Sequence, residues 1–258
     1  MAIITLTSDW GTKDHYTAAV KGAILSRDPA ITIVDISHTI GNFNLTETAF
    51  VLRNAFHHFP EGTIHIIAVN TEASVKHVHA VALYKGHYFI GADNGIFSLI
   101  FDEKPEKMIE ISIPQDSDYF TFSSRDVFVK VACMIASGAS IESTGSPMND
   151  YNRLVAFKPV YEENIIRGVV TYIDSFDNCI TNITEAAFKE IGKGRRFTVY
   201  FRTDETDEIK KAYSDVPPGE IVTLFGTTGY LEVAINQGCA SGLLGLQIAD
   251  SVRIDFEE

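Results

Sequence analysis

Ile3-Ile4-Thr5-Leu6-Thr7-Ser8-Asp9-Trp10-Gly11-Thr12-Lys13-Asp14-His15-Tyr16 sets the reading of the whole chain. Five apolar or β-branched residues make a strand, and the polar, Gly-containing run after them ends it. Tyr16 to Leu25 then repeats apolar residues at helical spacing until Pro29 stops the helix. Ile31-Thr32-Ile33-Val34-Asp35-Ile36 is the next strand. Asn44 or Thr46 caps a helix over Glu47 to Phe56, and Thr63 to Val69 is a buried strand rich in β-branched residues. This β-α-β-α-β order predicts a largely parallel sheet with right-handed crossovers. Val78 to Leu83 and His87 to Ile90, joined by Lys85-Gly86, read as a hairpin added to it, and Arg125 to Ala136 as a further helix.

Beyond this first half the pattern changes. Between Ser146 and Asn164 it lapses into a polar segment bracketed by Pro147 and Pro159, which places a domain boundary near residue 160. Strand patterns follow at Ile165 to Ile173, Phe197 to Phe201, Glu220 to Phe225, Gly229 to Ile235 and Ser251 to Phe256, with one helix from Glu185 to Glu190. The expected fold is therefore an α/β domain over residues 1–158 and a smaller β-barrel-like or sandwich domain over 163–258.

Composition narrows the function classes. The 258 residues hold 21 Lys or Arg against 34 Asp or Glu, a net charge of −13, with 45% hydrophobic residues, 18 glycines and 8 prolines. That composition is globular, and the charge disfavours nucleic acid as a partner. The longest charge-free stretch, Val233 to Ala249, is too polar and Gly-broken to span a membrane, and the N-terminus runs into a strand with no basic leader, so a cytoplasmic protein is expected. Cys133, Cys179 and Cys239 are odd in number and widely spaced, and read as buried free thiols.

Four polar clusters interrupt the apolar pattern, three of them at strand C-terminal ends, where open α/β sheets bind ligands. Asp9 and Asp14 stand five residues apart after the first strand. Such carboxylates can accept hydrogen bonds from ribose hydroxyls or hold an ammonium group; a turn former and a helix cap are the alternatives. Asn70 to His77 follows the third strand. His77, His79 and His87 cluster there, with His77 and His79 alternating on one strand face, but no Cys or carboxylate completes a metal site, so none is expected. Ser123 and Ser124 lead into a helix as caps or as donors to an anion or water. Asp174, Asp177, Asn178 and Asn182 are too polar for a core strand without partners. The chain contains no Walker loop, dinucleotide fingerprint, nucleophile elbow or zinc-protease helix.

Taken together, these segments resemble the S-adenosyl-L-methionine (SAM) hydroxide adenosyltransferases, or SAM hydrolases, related to fluorinases and chlorinases. The resemblance spans essentially the whole chain. It rests on Leu6 to Gly11 with Asp14 and Tyr16, Lys21 to Leu25, Ile33 to His38, Phe59 to His65, Gly91-Ala92-Asp93-Asn94-Gly95, Thr121 to Asp126, and Ile173 to Asn178 with Thr181-Asn182. It implies a homotrimer, with sites formed by one subunit's N-terminal domain and its neighbour's C-terminal domain, and SAM as substrate without a cofactor. By position, Asp9 would meet the ribose hydroxyls, Phe43 the sugar, and Asp14 and Tyr16 the methionine end. Asp174 would meet the amino group, and Phe176 and Asn178 the adenosine, with Thr227, Thr228 and the Ile235-Asn236-Gln237 segment completing the pocket.

The chain departs from the family at the position of the attacking water. The hydrolases' aspartate, arginine and histidine correspond here to Asn70, His77 and Ser123, and their glycine-bearing loop to Asn70-Thr71-Glu72-Ala73-Ser74-Val75. Asn70 cannot take a proton, whereas an imidazole such as His77 can near neutral pH. Ser124 matches the serine at the fluorinase halide site. The resemblance therefore implies cleavage of SAM to adenosine and methionine with altered water activation. A non-catalytic SAM or adenosine binder is the rival, and halide-dependent adenosyl transfer a third reading.

Overall fold

A computed structural model describes residues 2–115 and 117–257. The chain divides into two units, Met1–Ala156 and Phe157–Glu258.

The first unit is built on β1 (Ile3–Ser8), α1 (Tyr16–Arg27), β2 (Thr32–Ser37), α2 (Leu45–Ala55), β3 (Ile64–Ala68), β4 (His79–Tyr84), β5 (His87–Ala92), α3 (Ile96–Ile100), β6 (Lys107–Ile111), α4 (Val129–Ala136) and β7 (Gly145–Pro147). Its sheet runs β2-β1-β3-β5-β4-β6-β7. β2, β1, β3 and β5 are mutually parallel, and the β4–β5 hairpin turns the remainder antiparallel. The period-two alternation of strand side chains divides the core into two layers. Ile64 and Ile66 of β3, Ile4 and Leu6 of β1 and Ile90 of β5 pack with Val20, Ile24 and Val131 of α1 and α4 on one face. Ile67 and Phe89 pack with Leu52 of α2 and Phe97 of α3 on the other. Asn44 is the cap of α2, its side chain accepting the Glu47 N–H.

One polar thread crosses that second layer. Thr5 Oγ1 lies 2.7 Å from His65 Nδ1, and His65 Nε2 lies 3.2 Å from His87 Nδ1, boxed in by Phe56, Phe59 and Phe89. Burial, and then the charge of His87, bring the His65 pKa down to about 3.

The second unit comprises β8 (Val160–Tyr161), β9 (Ile165–Ile173), β10 (Cys179–Thr184), α5 (Glu185–Gly192), β11 (Phe197–Phe201), β12 (Asp204–Thr206), β13 (Ile221–Phe225), β14 (Tyr230–Ile235), α6 (Ala240–Leu244) and β15 (Ser251–Phe256). Its antiparallel sheet runs β12-β11-β15-β9-β10-β14-β13, with β8 on β9. The segment after β12 returns to the far edge: Lys210 N–H donates to Thr223 O (2.8 Å) and Thr223 Oγ1 to Glu208 O (2.6 Å), so the sheet is nearly closed, as a barrel. Ile166, Val170, Val199, Phe201, Val233 and Ile254 fill it. Thr184 caps α5 by accepting the Ala187 N–H.

The three cysteines are free, but only Cys179 is fully buried. Cys239 is exposed because it stands at the N-cap of α6, outside the β14 ladder, a correction to the expectation of three buried thiols. No helix of the described residues is long and apolar enough to cross a membrane.

Candidate functional site

Because β1, β2, β3 and β5 are parallel, their C-terminal ends and the loops after them share one edge of the first unit. After β1, Asp9 reaches across to the loop before α2, its Oδ2 accepting the Phe43 N–H at 2.9 Å. Phe43 is exposed and adopts φ 60°, a strained conformation for a bulky residue that this bond holds in place. Ser8 Oγ lies 2.7 Å from His38 Nδ1, His38 Nε2 is 3.1 Å from Asp35 Oδ1, and Lys21 Nζ donates to Asp35 Oδ2 at 2.6 Å. Trp10 stacks on the His38 ring and meets Phe122 edge-on at 5.6 Å, and Tyr16 meets the same Phe122 at 5.4 Å. The Asp9 loop, Tyr16 and the segment carrying Ser123 and Ser124 are thereby brought together. Asp14 is exposed and does not cap α1, whose N-cap is His15 without a side-chain bond.

Ser123 and Ser124 do not cap a helix either. Ser124–Phe128 forms a π-turn running into α4, a departure from regular winding that is frequent at functional sites. Both serines are buried, and the Ser124 Oγ has no hydrogen-bond partner among the described residues. Next to them Arg125 and Ser117 clamp Asp126 at 2.5 to 2.8 Å, and the Arg125 bonds hold its carboxyl below the usual range.

After β3, Asn70 takes φ 49°, the left-handed turn that Asn tolerates better than most residues, so the missing glycines do not prevent a tight path. Asn94 Nδ2 donates to Asn70 O at 2.9 Å, and His79 Nε2 lies 2.9 Å from Thr71 O, its ring edge-on to Phe128 of the π-turn. The expectation that His77 and His79 share a strand face does not hold. β4 begins at His79, and His77 sits before it in a turn closed by Ser74, whose O and Oγ accept the His77 N–H. His87 points to His65 instead, so the three histidines diverge. Asp93, at the end of β5, is buried; burial raises its carboxyl pKa, opposed by bonds from Asn152 and by the charge of His77, while Asp150 adds to the rise.

In the second unit, Asp174 organises its own loop between β9 and β10. Oδ1 accepts the N–H groups of Phe176 and Asn178 at 2.9 Å each, and Oδ2 accepts Asn178 Nδ2 at 3.0 Å. Asp177 takes φ 62° at the tip, and Phe176 is 75% exposed, an aromatic face offered outward. The polar partners that this segment's composition demands are thus largely its own backbone. β10 and β14 are antiparallel with Cys179 opposite Val233, which puts Ile235 and Gln237 at the same end as the Asp174 loop. Thr227 and Thr228, in the β13–β14 turn, lie beyond the other end of β14, a strand that spans roughly 17 Å from Tyr230 to Ile235. Between the two ends stands buried Glu232. Its Oε2 accepts the Tyr213 hydroxyl at 2.6 Å, and its carboxylate occupies the space that a Cβ on Gly226 would need. Burial raises its carboxyl pKa; the Tyr213 bond opposes that rise and the charge of Asp174 adds to it.

Asn152 and Glu232 carry no motif signal. The partners of Asn152 are distant in sequence, and Glu232 is buried on β14, so only the fold assembles their contacts.

The model of the SAM hydroxide adenosyltransferase N-terminal domain matches residues 4–145, and that of the SAM hydroxide adenosyltransferase C-terminal domain matches residues 168–253. Among curated proteins the chain is similar to an (R)-S-adenosyl-L-methionine hydrolase of Thermus thermophilus, 30% identical over 98% of this chain and 100% of that protein. It is also similar to a fluorinase of Actinopolyspora mzabensis, 26% identical over 98% of this chain and 96% of that one. Among solved structures, an uncharacterized conserved protein from Thermotoga maritima superposes with a TM-score of 0.90 at 30% identity, covering 98% of this chain and 99% of the other.

Proposed function

The chain belongs to the SAM hydroxide adenosyltransferase family, and from that premise we propose that it hydrolyses SAM to adenosine and L-methionine. The observation carrying this reading is the match of both family domains, joined to full-length similarity to a protein named as a SAM hydrolase. In the proposed reaction a water oxygen attacks C5′ in line with the C5′–S bond. The bond's electron pair leaves with sulfur, and the water's proton passes to a base. Neutral methionine departs from a sulfonium without a general acid, so the protein's work is to position and desolvate the water.

In this reading Asp9 holds the ribose hydroxyls, Phe43 flanks the sugar, and Asp14 and Tyr16 face the methionine end. Asp174 pairs with the ammonium group, with Phe176 and Asn178 against the adenosine. Thr227, Thr228, Ile235 and Gln237 are the remaining pocket residues of this reading, contributed from opposite ends of β14. His77 is the proposed base, with Asn70, Ser123 and the unpartnered Ser124 hydroxyl as hydrogen-bonding groups around the water. We further propose a cytoplasmic homotrimer, in which one copy's N-terminal unit and the next copy's C-terminal unit contribute to each site, and no cofactor.

Incubation of the pure protein with SAM tests the reading: adenosine and methionine should appear together in equal amounts. No product above the spontaneous rate would sink it. The replacements at Asn70, His77 and Ser123 favour one second reading, a SAM or adenosine binder without turnover, which calorimetry would reveal as tight binding in the absence of products. Chloride-dependent formation of a 5′-halogenated adenosine would instead point to halide transfer at Ser124.

A further inference from the structure

We propose that Asn152 and Asp93 form a clasp that positions His77 for water activation, an inference that rests on the hydrolase reading above. The loop from Asn70 to His77 has no regular structure and is mostly exposed, so its path depends on the few bonds that hold it. At its start these are the Asn94 bond to Asn70 O and the His79 contact with Thr71 O. At its far end, the carbonyls on both sides of His77 are bound to the clasp. Asn152 Nδ2 donates to Lys76 O at 2.8 Å, and the Asp93 N–H donates to Val78 O at 2.7 Å.

The clasp is itself closed. The Asn152 N–H forks to both Asp93 carboxylate oxygens at 3.0 Å, and Asn152 Nδ2 also reaches Asp93 O at 2.6 Å and Oδ2 at 3.1 Å. Asp93 is only 3% exposed, so without Asn152 its carboxylate would be buried with its charge poorly satisfied. Leu154 anchors the same segment two residues on. Its N–H donates to Ser98 Oγ at 2.8 Å, and its side chain fills the space that a Cβ at Gly95 would occupy. Asn152 is thus fixed from its own side of the chain and can impose a position on His77, 75 residues earlier. Asp93 and Asn152 act here through the backbone of the His77 loop and are positioning residues.

The test uses Asn152→Ala, Asn152→Asp and the double variant Asn152→Asp/Asp93→Asn, measured by SAM turnover, melting temperature and hydrogen exchange at the His77 amide. Asn152→Asp sets two carboxylates together, so melting temperature and kcat should both fall, kcat by between about tenfold and a hundredfold with KM within about twofold. The double variant restores a side-chain bond between the two positions, so melting temperature should recover. An aspartate cannot donate to Lys76 O, so kcat should stay low. Recovery of kcat together with stability would overturn the positioning role, as would Asn152→Ala with unchanged kcat. If the parent protein does not turn over SAM, the hydrolase reading fails by itself. Exchange at His77 then decides the clasp, faster in Asn152→Ala supporting it and unchanged overturning it.

Discussion

Asp9 and Asp174 are both loop carboxylates at strand ends, yet they are held in opposite ways. Asp174 is bound by N–H groups two and four residues away, so its loop folds on itself. Asp9 takes the N–H of Phe43, 34 residues away, and its loop is steadied by the Ser8–His38 contact and by Trp10 against Phe122. A self-contained loop keeps its shape when its surroundings change; an assembled one reports on everything it touches. The second unit should therefore answer to local mutation, and the first to whatever loosens its sheet.

Acid should open the widest gap between them. His65 has its pKa lowered by burial and by the charge of His87, and His79 and His87 are lowered by burial as well. Depressed imidazoles stabilise the fold fully above their ordinary pKa near 6.5, and that contribution is lost as pH falls toward about 3, where His65 titrates. At about 1.4 kcal/mol per pH unit for one site, the loss reaches a few kcal/mol. All eight histidines precede residue 90, so the second unit lacks this term. Hydrogen exchange between pH 7 and pH 4, corrected for intrinsic rates, should show residues 2–156 loosening first; uniform loosening would break the comparison.

Asp9→Ala should come next, lowering kcat/KM for SAM about a hundredfold through lost charge-assisted hydrogen bonds while stability moves by about 1 kcal/mol. Asp174→Ala should show the reverse emphasis in structure: two N–H groups and one amide lose their acceptor, and urea unfolding of the second unit should be destabilised by about 1 to 3 kcal/mol. The smallest expected effect is Asp174→Asn. It keeps an acceptor for the loop but removes the charge, so calorimetry should show SAM weakened about tenfold more than adenosine. Equal weakening of both ligands would mean that Asp174 does not face the ammonium group.

The same contrast explains what could be read from the residues. β1, β2, β3 and the β4–β5 hairpin follow from apolar periodicity and local turn chemistry, which also leave Asn44 and Thr46 as the two candidate caps of α2. The Asp and Asn residues from 174 to 182 mark a need for polar partners, but not that the loop at Asp174 supplies them from its own backbone. α3 and β6 are only five residues each, too short for a period to show, and β7 is three residues long. The π-turn at Ser124 keeps a helical pattern of side chains and differs only in its hydrogen bonds. His77 lies beside a strand pattern, and only the turn at Ser74 shows that it falls outside it. Asn152 looks like one more polar residue of a linker, because its partners are 59 and 76 positions earlier.

The sheet borders carry a consequence for how copies of this chain can meet. In the second unit the return of Lys210 to Thr223 covers the border that β13 would otherwise present. In the first, β7 is three residues ending in Pro147, and β2 displays Asp35, engaged by Lys21 and His38. Charge, brevity and proline are the features that keep a strand from templating another onto itself. Neither unit therefore invites runaway strand-by-strand polymerisation, and any ordered assembly has to be specified by side chains meeting side chains.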